Sequence, residues 1–247
     1  MIGIIDWGIG GMGVLSALRA AGKTTDVVYF SDSGSTPYGK MSASDLRSRF
    51  EVIGEFLSRL GCDRVLVACN AASSALQNPA EKFGGIPFYS IIPAATKAAR
   101  DSGHKKIGVI GGMRTIESGV YQQAFSQAAG EYVYGTAQPL SAMVEAGELS
   151  GKNVEREIQQ VLKLMPGIDG LLLACTHYPA LAPVFRSLAI NVTLLDPAET
   201  MIKLQEMGPG SSHVIFYTTG NVVDSLMASK KAFAISIPSQ QSFHITL

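Results

Sequence analysis

Two stretches of the chain, RVLVACNAAS at residues 64–73 and GLLLACTHYP at residues 170–179, share one pattern that decides the predicted fold. Each is a short apolar run that ends in alanine and a cysteine, Cys69 in the first and Cys175 in the second. Short apolar runs of this kind are typical of strands buried on both faces of a parallel sheet. The residues after each cysteine are suited to begin a helix. The repetition therefore predicts two similar α/β units, each with a cysteine at the end of a strand.

Strand-like and helix-like segments alternate outward from these two stretches along nearly the whole chain. The clearest helix is expected over about residues 42–60, where apolar residues recur at spacings of four and three from Leu46 to Leu60. Ser42 and Asp45 resemble a capping box at its start. Alternation of this kind predicts an α/β fold with mainly parallel sheets.

The domain organisation follows from where the alternation restarts, which is after Pro93. We expect a first α/β domain over residues 1–92 and 207–247 and a second over residues 93–206. HVIFYTTG at residues 213–220 is expected to return to the first domain. A helix is expected over about Glu117–Gln127, and no structure is predicted for most of the C-terminal segment, residues 231–247.

Composition excludes several classes of function. Of the 247 residues, 47% are hydrophobic and 16% charged, and 20 basic residues balance 20 acidic ones without a basic run, so nucleic acid is not an expected partner. No apolar run approaches the ~18 residues that span a bilayer, and the N-terminus lacks a signal-peptide pattern. The three cysteines have no CxxC spacing, which argues against a disulfide framework and a metal site. The expected compartment is a reducing cytoplasm.

A glycine motif near the N-terminus raises a different possibility. Gly8, Gly10 and Gly13 spell G-x-G-x-x-G after an apolar run, and Asp32 lies about where a dinucleotide-binding fold holds a ribose. However, a carboxylate at Asp6 would repel a pyrophosphate in that turn. A nucleotide-dependent oxidoreductase is therefore the weaker alternative.

The two cysteines suit proton transfer at a carbon atom between them. Two thiols that face each other across a cleft can remove a proton from one face of a carbon and deliver one to the opposite face. The start of a helix can lower a thiol pKa and raise the thiolate fraction. Asp6 is a candidate partner for Cys69, and His177 for Cys175; Cys62 has no such setting and is expected to be structural.

The motifs IGIIDWGIGG, TPYGKMS, VLVACNAAS, IGVIGGMRTIESGVY, VEAGE, LLLACTHYP and FYTTG together resemble the aspartate/glutamate racemase superfamily, and within it the glutamate racemases most closely. The resemblance implies two pseudo-symmetric α/β domains, an active site in the cleft between them, no cofactor and a homodimer. It implies that Cys69 and Cys175 are the catalytic acid/bases, that Asp6 assists the first, and that His177 with Glu145 assists the second. The role of Glu145 rests on the resemblance alone. The residues it places around a small amino-acid substrate are Trp7, Pro37, Tyr38, Gly39, Asn70, Ala71, Thr115 and Thr176.

Three departures from the family pattern fall within this pocket. Trp7 stands where the family usually has serine, and Ala71 and Gly112 stand where it usually has threonine, so three hydroxyls are missing. One hypothesis is a reshaped pocket for a different or smaller amino acid such as aspartate, in which Ala71 and Gly112 make room for the indole. The other is that Trp7 fills the site and activity is lost.

The function predicted from the sequence is an amino-acid racemase, acting on glutamate, aspartate or a related amino acid through two cysteines. An isomerase or decarboxylase of small dicarboxylates and an inactive amino-acid-binding protein stay open as alternatives. A role in cell-wall peptidoglycan synthesis and a role in a specialised pathway also stay open.

Overall fold

Strands and helices alternate along the computed structural model of the chain, which describes residues 1–247. The strands are β1 (Ile2–Asp6), β2 (Val27–Ser31), β3 (Arg64–Val67), β4 (Ala80–Phe83), β5 (Ile86–Ser90), β6 (Lys106–Gly111), β7 (Glu131–Thr136), β8 (Gly170–Ala174), β9 (Thr193–Leu195), β10 (Val214–Thr218) and β11 (Ser242–His244). The α-helices are α1 (Met12–Ala20), α2 (Ala43–Arg59), α3 (Asn70–Ser73), α4 (Ile92–Asp101), α5 (Met113–Glu117), α6 (Val120–Phe125), α7 (Pro139–Glu145), α8 (Lys152–Lys163), α9 (Ala182–Leu188), α10 (Ala198–Lys203) and α11 (Val222–Phe233). None of these helices combines the length and the apolar character that crossing a membrane requires.

The strands form two sheets. A seven-stranded sheet has the order β11-β10-β2-β1-β3-β5-β4, and a four-stranded sheet has the order β7-β6-β8-β9. All neighbouring strands are parallel except β4 and β5. The predicted α/β fold with mainly parallel sheets is confirmed, and β10 does return to the first sheet. The boundaries at residues 92 and 206 stay a prediction.

Burial explains why these segments form strands and helices. Every residue of β1, β2 and β8 is buried, as expected for strands with helices packed on both faces. Helix α2 buries one apolar stripe that includes Leu46, Phe50 and Leu57. The capping box at its start is present, because the Ser42 hydroxyl accepts from the Asp45 N–H at 3.1 Å and the Asp45 carboxylate accepts from the Ser42 N–H at 3.4 Å. One continuous core of 41 buried residues contains side chains from both sheets.

Two segments differ from the sequence-based expectations. The helix expected over Glu117–Gln127 is shorter and corresponds to α6, because Gly119 adopts the left-handed conformation with φ of 73° and separates α6 from α5, which ends at Glu117. The C-terminal segment contributes β11, which pairs in parallel with β10 at the edge of the first sheet. A strand of three residues is too short to show a periodicity in the sequence.

Candidate active site

A cavity of about 440 Å³ lies where the carboxyl ends of the two sheets face each other. Ligands of open parallel sheets collect at this end of the strands. Strand β1 ends at Asp6 and β3 is followed by Cys69, while β6 is followed by Gly112 and β8 by Cys175. The cavity brings together all thirteen residues that the sequence analysis placed at the site: Asp6, Trp7, Pro37, Tyr38, Gly39, Cys69, Asn70, Ala71, Thr115, Glu145, Cys175, Thr176 and His177.

Asp6 is fully buried and links the two halves of the site. Its Oδ2 accepts a hydrogen bond of 2.7 Å from the hydroxyl of Thr176, the residue after Cys175. The Gly8 N–H donates to its Oδ1 at 3.4 Å. Burial raises the pKa of Asp6, although the charge of His177 and the Thr176 hydrogen bond oppose the shift. The carboxyl of the first sheet is thus positioned by a side chain of the second.

Cys69 lies directly before α3, but the start of this helix does not lower its thiol pKa as the sequence analysis expected. Burial and the charge of Asp6 hold the pKa of Cys69 well above its usual value. The N–H groups of Ala71 and Ala72 oppose the shift without overcoming it. Helix α3 has only four residues, so its N-terminus stabilises a thiolate at Cys69 only weakly. The resting state of Cys69 at neutral pH is therefore the thiol.

Cys175 has a histidine as its partner. Its Sγ lies 3.7 Å from Nδ1 of His177, and Nε2 of His177 lies 2.5 Å from Oε1 of Glu145. Burial disfavours a charged His177, but its hydrogen bonds to Cys175 and Glu145 outweigh this effect and raise its pKa well above the usual range. Burial likewise opposes ionisation of Glu145, whose pKa is nevertheless lowered by His177 and by the Ile9 N–H. An imidazolium paired with a carboxylate therefore stands beside Cys175.

Gly8 and Gly10 allow this histidine and glutamate to approach the first sheet. A Cβ atom at Gly8 would lie 1.9 Å from Oε1 of Glu145, and one at Gly10 would lie 2.3 Å from the Thr176 hydroxyl and 2.8 Å from Nδ1 of His177. Real Cβ atoms do not come this close to other heavy atoms, so side chains here would displace the cluster. The glycine motif serves contact between the two sheets.

Asp32, the residue that the dinucleotide hypothesis assigned to a ribose, is buried away from the cavity. Its carboxylate accepts two hydrogen bonds from Arg49, at 2.6 and 2.8 Å, and one at 2.9 Å from each of the Tyr38 and Thr219 hydroxyls. These bonds use the acceptor sites of both oxygens. The dinucleotide interpretation of Asp32 is therefore wrong, and the residue positions Tyr38.

Asn70 presents a hydrogen-bond donor without a protein partner. Its Oδ1 accepts from the Tyr121 hydroxyl at 2.5 Å, which fixes the orientation of the amide. The Nδ2 atom is buried and has no partner. A buried donor without a partner costs free energy, and a substrate carboxylate would remove that cost.

Trp7 borders the cavity without filling it. Its Nε1–H donates to the Ser35 carbonyl at 3.1 Å, and the indole packs against the core that contains Tyr38. A Cβ atom at Gly112 would meet Oε1 of Gln138 at 2.9 Å and has no indole atom within 4 Å. The space at Gly112 is therefore used by Gln138, and the expectation that it accommodates the indole is wrong.

Comparison with known proteins identifies the family of this site. A family profile described as Asp/Glu/Hydantoin racemase matches residues 12–204. A glutamate racemase of Aquifex aeolicus (strain VF5) is 38% identical over 223 residues, which cover 87% of each chain. The chain belongs to the Asp/Glu/Hydantoin racemase family. It is also 36% identical over 207 residues to a glutamate racemase of Corynebacterium diphtheriae, covering 82% of this chain and 78% of that one.

Solved structures agree with this assignment. The glutamate racemase of Thermus thermophilus in complex with β-chloro-D-alanine aligns with a TM-score of 0.83 at 28% identity, covering 100% of this chain and 96% of that one. The glutamate racemase of Francisella tularensis in complex with D-glutamate aligns with a TM-score of 0.85 at 23% identity, covering 99% and 97%, and shows the shared fold. As a member of this family the chain is an amino-acid racemase and thus an isomerase.

Sequence reasoning missed other side chains that line the cavity of this racemase. Lys40 and Arg114 bring positive charge, and Gln138 accepts from the Met113 N–H at 2.9 Å. Arg114 follows two glycines and a methionine at the start of a short helix, where no pattern marked it as part of a site. No group of three or more His, Cys, Asp and Glu side chains is arranged to hold a metal ion.

Proposed function

We propose that this racemase interconverts the L and D enantiomers of an acidic amino acid by proton transfer between Cys69 and Cys175. The observation that carries the proposal is that two thiols with different charged partners line one cavity. Glutamate is the first candidate substrate because the curated relatives at 38% and 36% identity are glutamate racemases. Aspartate is the smaller alternative.

The proposed reaction needs one thiolate and one thiol on opposite faces of the substrate α-carbon. The thiolate takes the α-proton and becomes a thiol, which leaves a carbanion on the α-carbon. The opposite thiol donates its proton to the other face and becomes a thiolate, so the net charge of the pair is unchanged. The roles reverse for the other enantiomer.

The two cysteines have different surroundings in the cavity. Burial and the Asp6 charge favour a protonated Cys69. The imidazolium of His177 stands 3.7 Å from the Cys175 sulfur and can pair with a thiolate there.

A buried amide donor would position the head group of the substrate. The unpartnered Nδ2 of Asn70 is apt for the α-carboxylate. Because Asn70, Cys69 and Cys175 line the same cavity, we expect a carboxylate held in this way to bring the α-carbon near the two thiols. The homodimer and the cytoplasmic location that the sequence resemblance implies stay predictions.

Replacement of each cysteine by serine tests the mechanism. We expect Cys69→Ser and Cys175→Ser each to lower racemisation by about 10²–10⁴-fold, because a serine hydroxyl is a poor acid/base at neutral pH. Each enantiomer of glutamate and aspartate is incubated in D2O, and α-proton exchange is followed by NMR alongside optical rotation. Exchange of one enantiomer without inversion would identify the cysteine that remains.

Cys62→Ser is the matched control, since Cys62 is buried outside the cavity and burial raises the pKa of its thiol to about 12. It should keep racemase activity. Full racemisation by either Cys69→Ser or Cys175→Ser would contradict the two-thiol mechanism.

A further inference from the structure

Arg114 joins three segments that line the cavity. It lies in α5, which follows β6 of the second sheet, but its side chain reaches segments that follow strands of the first sheet. Its Nε donates to the Ala71 carbonyl at 3.2 Å, and one terminal nitrogen donates to the Met41 carbonyl at 2.7 Å. Ala71 lies two residues after Cys69, and Met41 follows the short 3-10 helix Tyr38–Lys40. These two bonds fix the plane of the guanidinium at the edge of the cavity.

The guanidinium of Arg114 has donors to spare and no anionic partner. Of its five N–H groups, two are used by the carbonyls of Ala71 and Met41. None of the ion pairs in the structure includes Arg114. The residue is half-buried and lines the cavity. Burial lowers its pKa, so an anion in the cavity would stabilise the charged form.

Two side-chain donors that line the cavity are already used within the protein. The Trp7 N–H is already used by the Ser35 carbonyl, and the Thr176 hydroxyl donates to Asp6. Ala71 and Gly112 have no polar side-chain atoms. The other cations of the cavity are Lys40, which is exposed, and His177, which is paired with Glu145.

We propose that Arg114 binds the side-chain carboxylate of the substrate and is the residue by which this enzyme selects acidic over neutral amino acids. The proposal rests on the proposed racemase function. An arginine fork matches the two oxygens of a carboxylate, and a guanidinium already held by two carbonyls loses little freedom on binding. The fixed position of the fork relative to the Cys69 segment sets how far the side-chain carboxylate lies from the α-carbon.

Kinetics with acidic amino acids and their amides tests the role of Arg114. Glutamate and aspartate are compared with glutamine and asparagine, which keep the α-carboxylate but lack the side-chain charge. For Arg114→Gln we expect KM for the acidic substrates to rise about 10- to 100-fold with kcat changed less than about 3-fold. The kcat/KM for the amides should change less than about 3-fold. Arg114→Lys should give an intermediate KM, since it restores the charge without the fork.

Arg19→Gln is the matched control for loss of a structural arginine. Arg19 donates to the carbonyls of Lys23, Thr25 and Ser212 at 2.9, 2.9 and 3.1 Å and lies outside the cavity. The Arg19→Gln variant should have a lower melting temperature than wild type and the same preference for acidic over neutral substrates. Equal losses on acids and amides by Arg114→Gln, or an unchanged KM for the acids, would overturn the proposal.

Binding measurements separate this proposal from the racemase function itself. Calorimetric titration of wild type and Arg114→Gln with each enantiomer of glutamate and aspartate needs no turnover. If wild type exchanges no α-proton but binds an acidic amino acid about 10-fold or more tightly than Arg114→Gln does, Arg114 keeps its role and the racemase function fails. If wild type binds none of these acids, the proposed role of Arg114 is wrong.

Discussion

At the scale of single residues, Gly8 is the position where one added methyl group should disturb the chemistry most. That methyl group would lie 1.9 Å from Oε1 of Glu145 and displace it from the Ile9 N–H and from His177. Loss of a charged hydrogen bond costs about 1.5–3 kcal/mol, so Gly8→Ala should lower kcat about 10- to 100-fold. Steady-state racemisation and the melting temperature are measured together.

Gly13→Ala is the control from the same motif. A Cβ atom at Gly13 meets the Phe233 ring at 3.6 Å, which is an ordinary contact, and the residue lies within α1. Alanine in a helix is about 1 kcal/mol more favourable than glycine, so this variant should be slightly more stable and keep kcat within about 2-fold. Wild-type kcat in Gly8→Ala would show that Glu145 does not need its place beside His177.

The pair of Glu145 and His177 should give stability a defined pH dependence. The pKa of Glu145 is lowered from about 4.5, so its contribution is present above that pH and is lost as pH falls through the lowered value. The pKa of His177 is raised from about 6.5, so its contribution is complete below that pH and is lost as pH rises through the raised value. The stability of wild type should therefore exceed that of Glu145→Gln most between about pH 4.5 and 6.5.

The size of this effect follows from the burial of the pair. His177 has 6% of its side chain exposed and Glu145 has 23%, so the loss should be about 2 kcal/mol, or roughly 4–8 °C in melting temperature. Glu131→Gln removes a carboxylate that is 62% exposed and paired with Lys106, and should cost less than about 0.5 kcal/mol at any pH. If the difference in melting temperature between wild type and Glu145→Gln is constant from pH 4 to pH 9, Glu145 and His177 do not form a charged pair.

At the scale of secondary-structure elements, the strand ends were predictable and the short elements were not. Strands β3 and β8 are apolar runs that end at a cysteine, so their positions and the meeting of Cys69 and Cys175 at one cavity follow from the sequence pattern. Helix α3 was expected, but its four residues are too few to overcome the burial of Cys69. Strand β11 depends on the edge of β10, a tertiary feature that no local pattern contains.

Long-range contacts explain the other limits of sequence reasoning. Arg114 reaches Met41 across 73 residues of chain, and Gln138 approaches Gly112 from the segment between β7 and α7. Neither contact leaves a spacing that a periodicity can detect. Glu145 was found by resemblance alone, because its partner His177 lies 32 residues away. Residue types at strand ends could thus be predicted, whereas the charged groups that complete the cavity depend on how the two sheets meet.

At the scale of the whole molecule, the buried carboxylate of Asp32 ties distant parts of the chain to the wall of the cavity. Arg49 on α2 pairs with Asp32 at 2.6 Å and also donates to the carbonyl of Leu247 at 3.0 Å. The Thr219 hydroxyl that follows β10 donates to the same carboxylate. The Tyr38 hydroxyl completes the set, so the segment that borders the cavity depends on this cluster.

Arg49→Leu should therefore affect both stability and substrate binding. Asp32 has 0% of its side chain exposed, and removing one partner of a buried ion pair costs about 3–5 kcal/mol, or roughly 6–20 °C in melting temperature. KM should also rise, because Tyr38 loses its fixed partner. Arg64→Leu, which breaks a pair with the 58% exposed Asp63, should cost less than about 1 kcal/mol and leave KM unchanged. Thermal unfolding and racemisation kinetics measure both effects, and a similar small loss in the two variants would contradict the role assigned to the pair of Arg49 and Asp32.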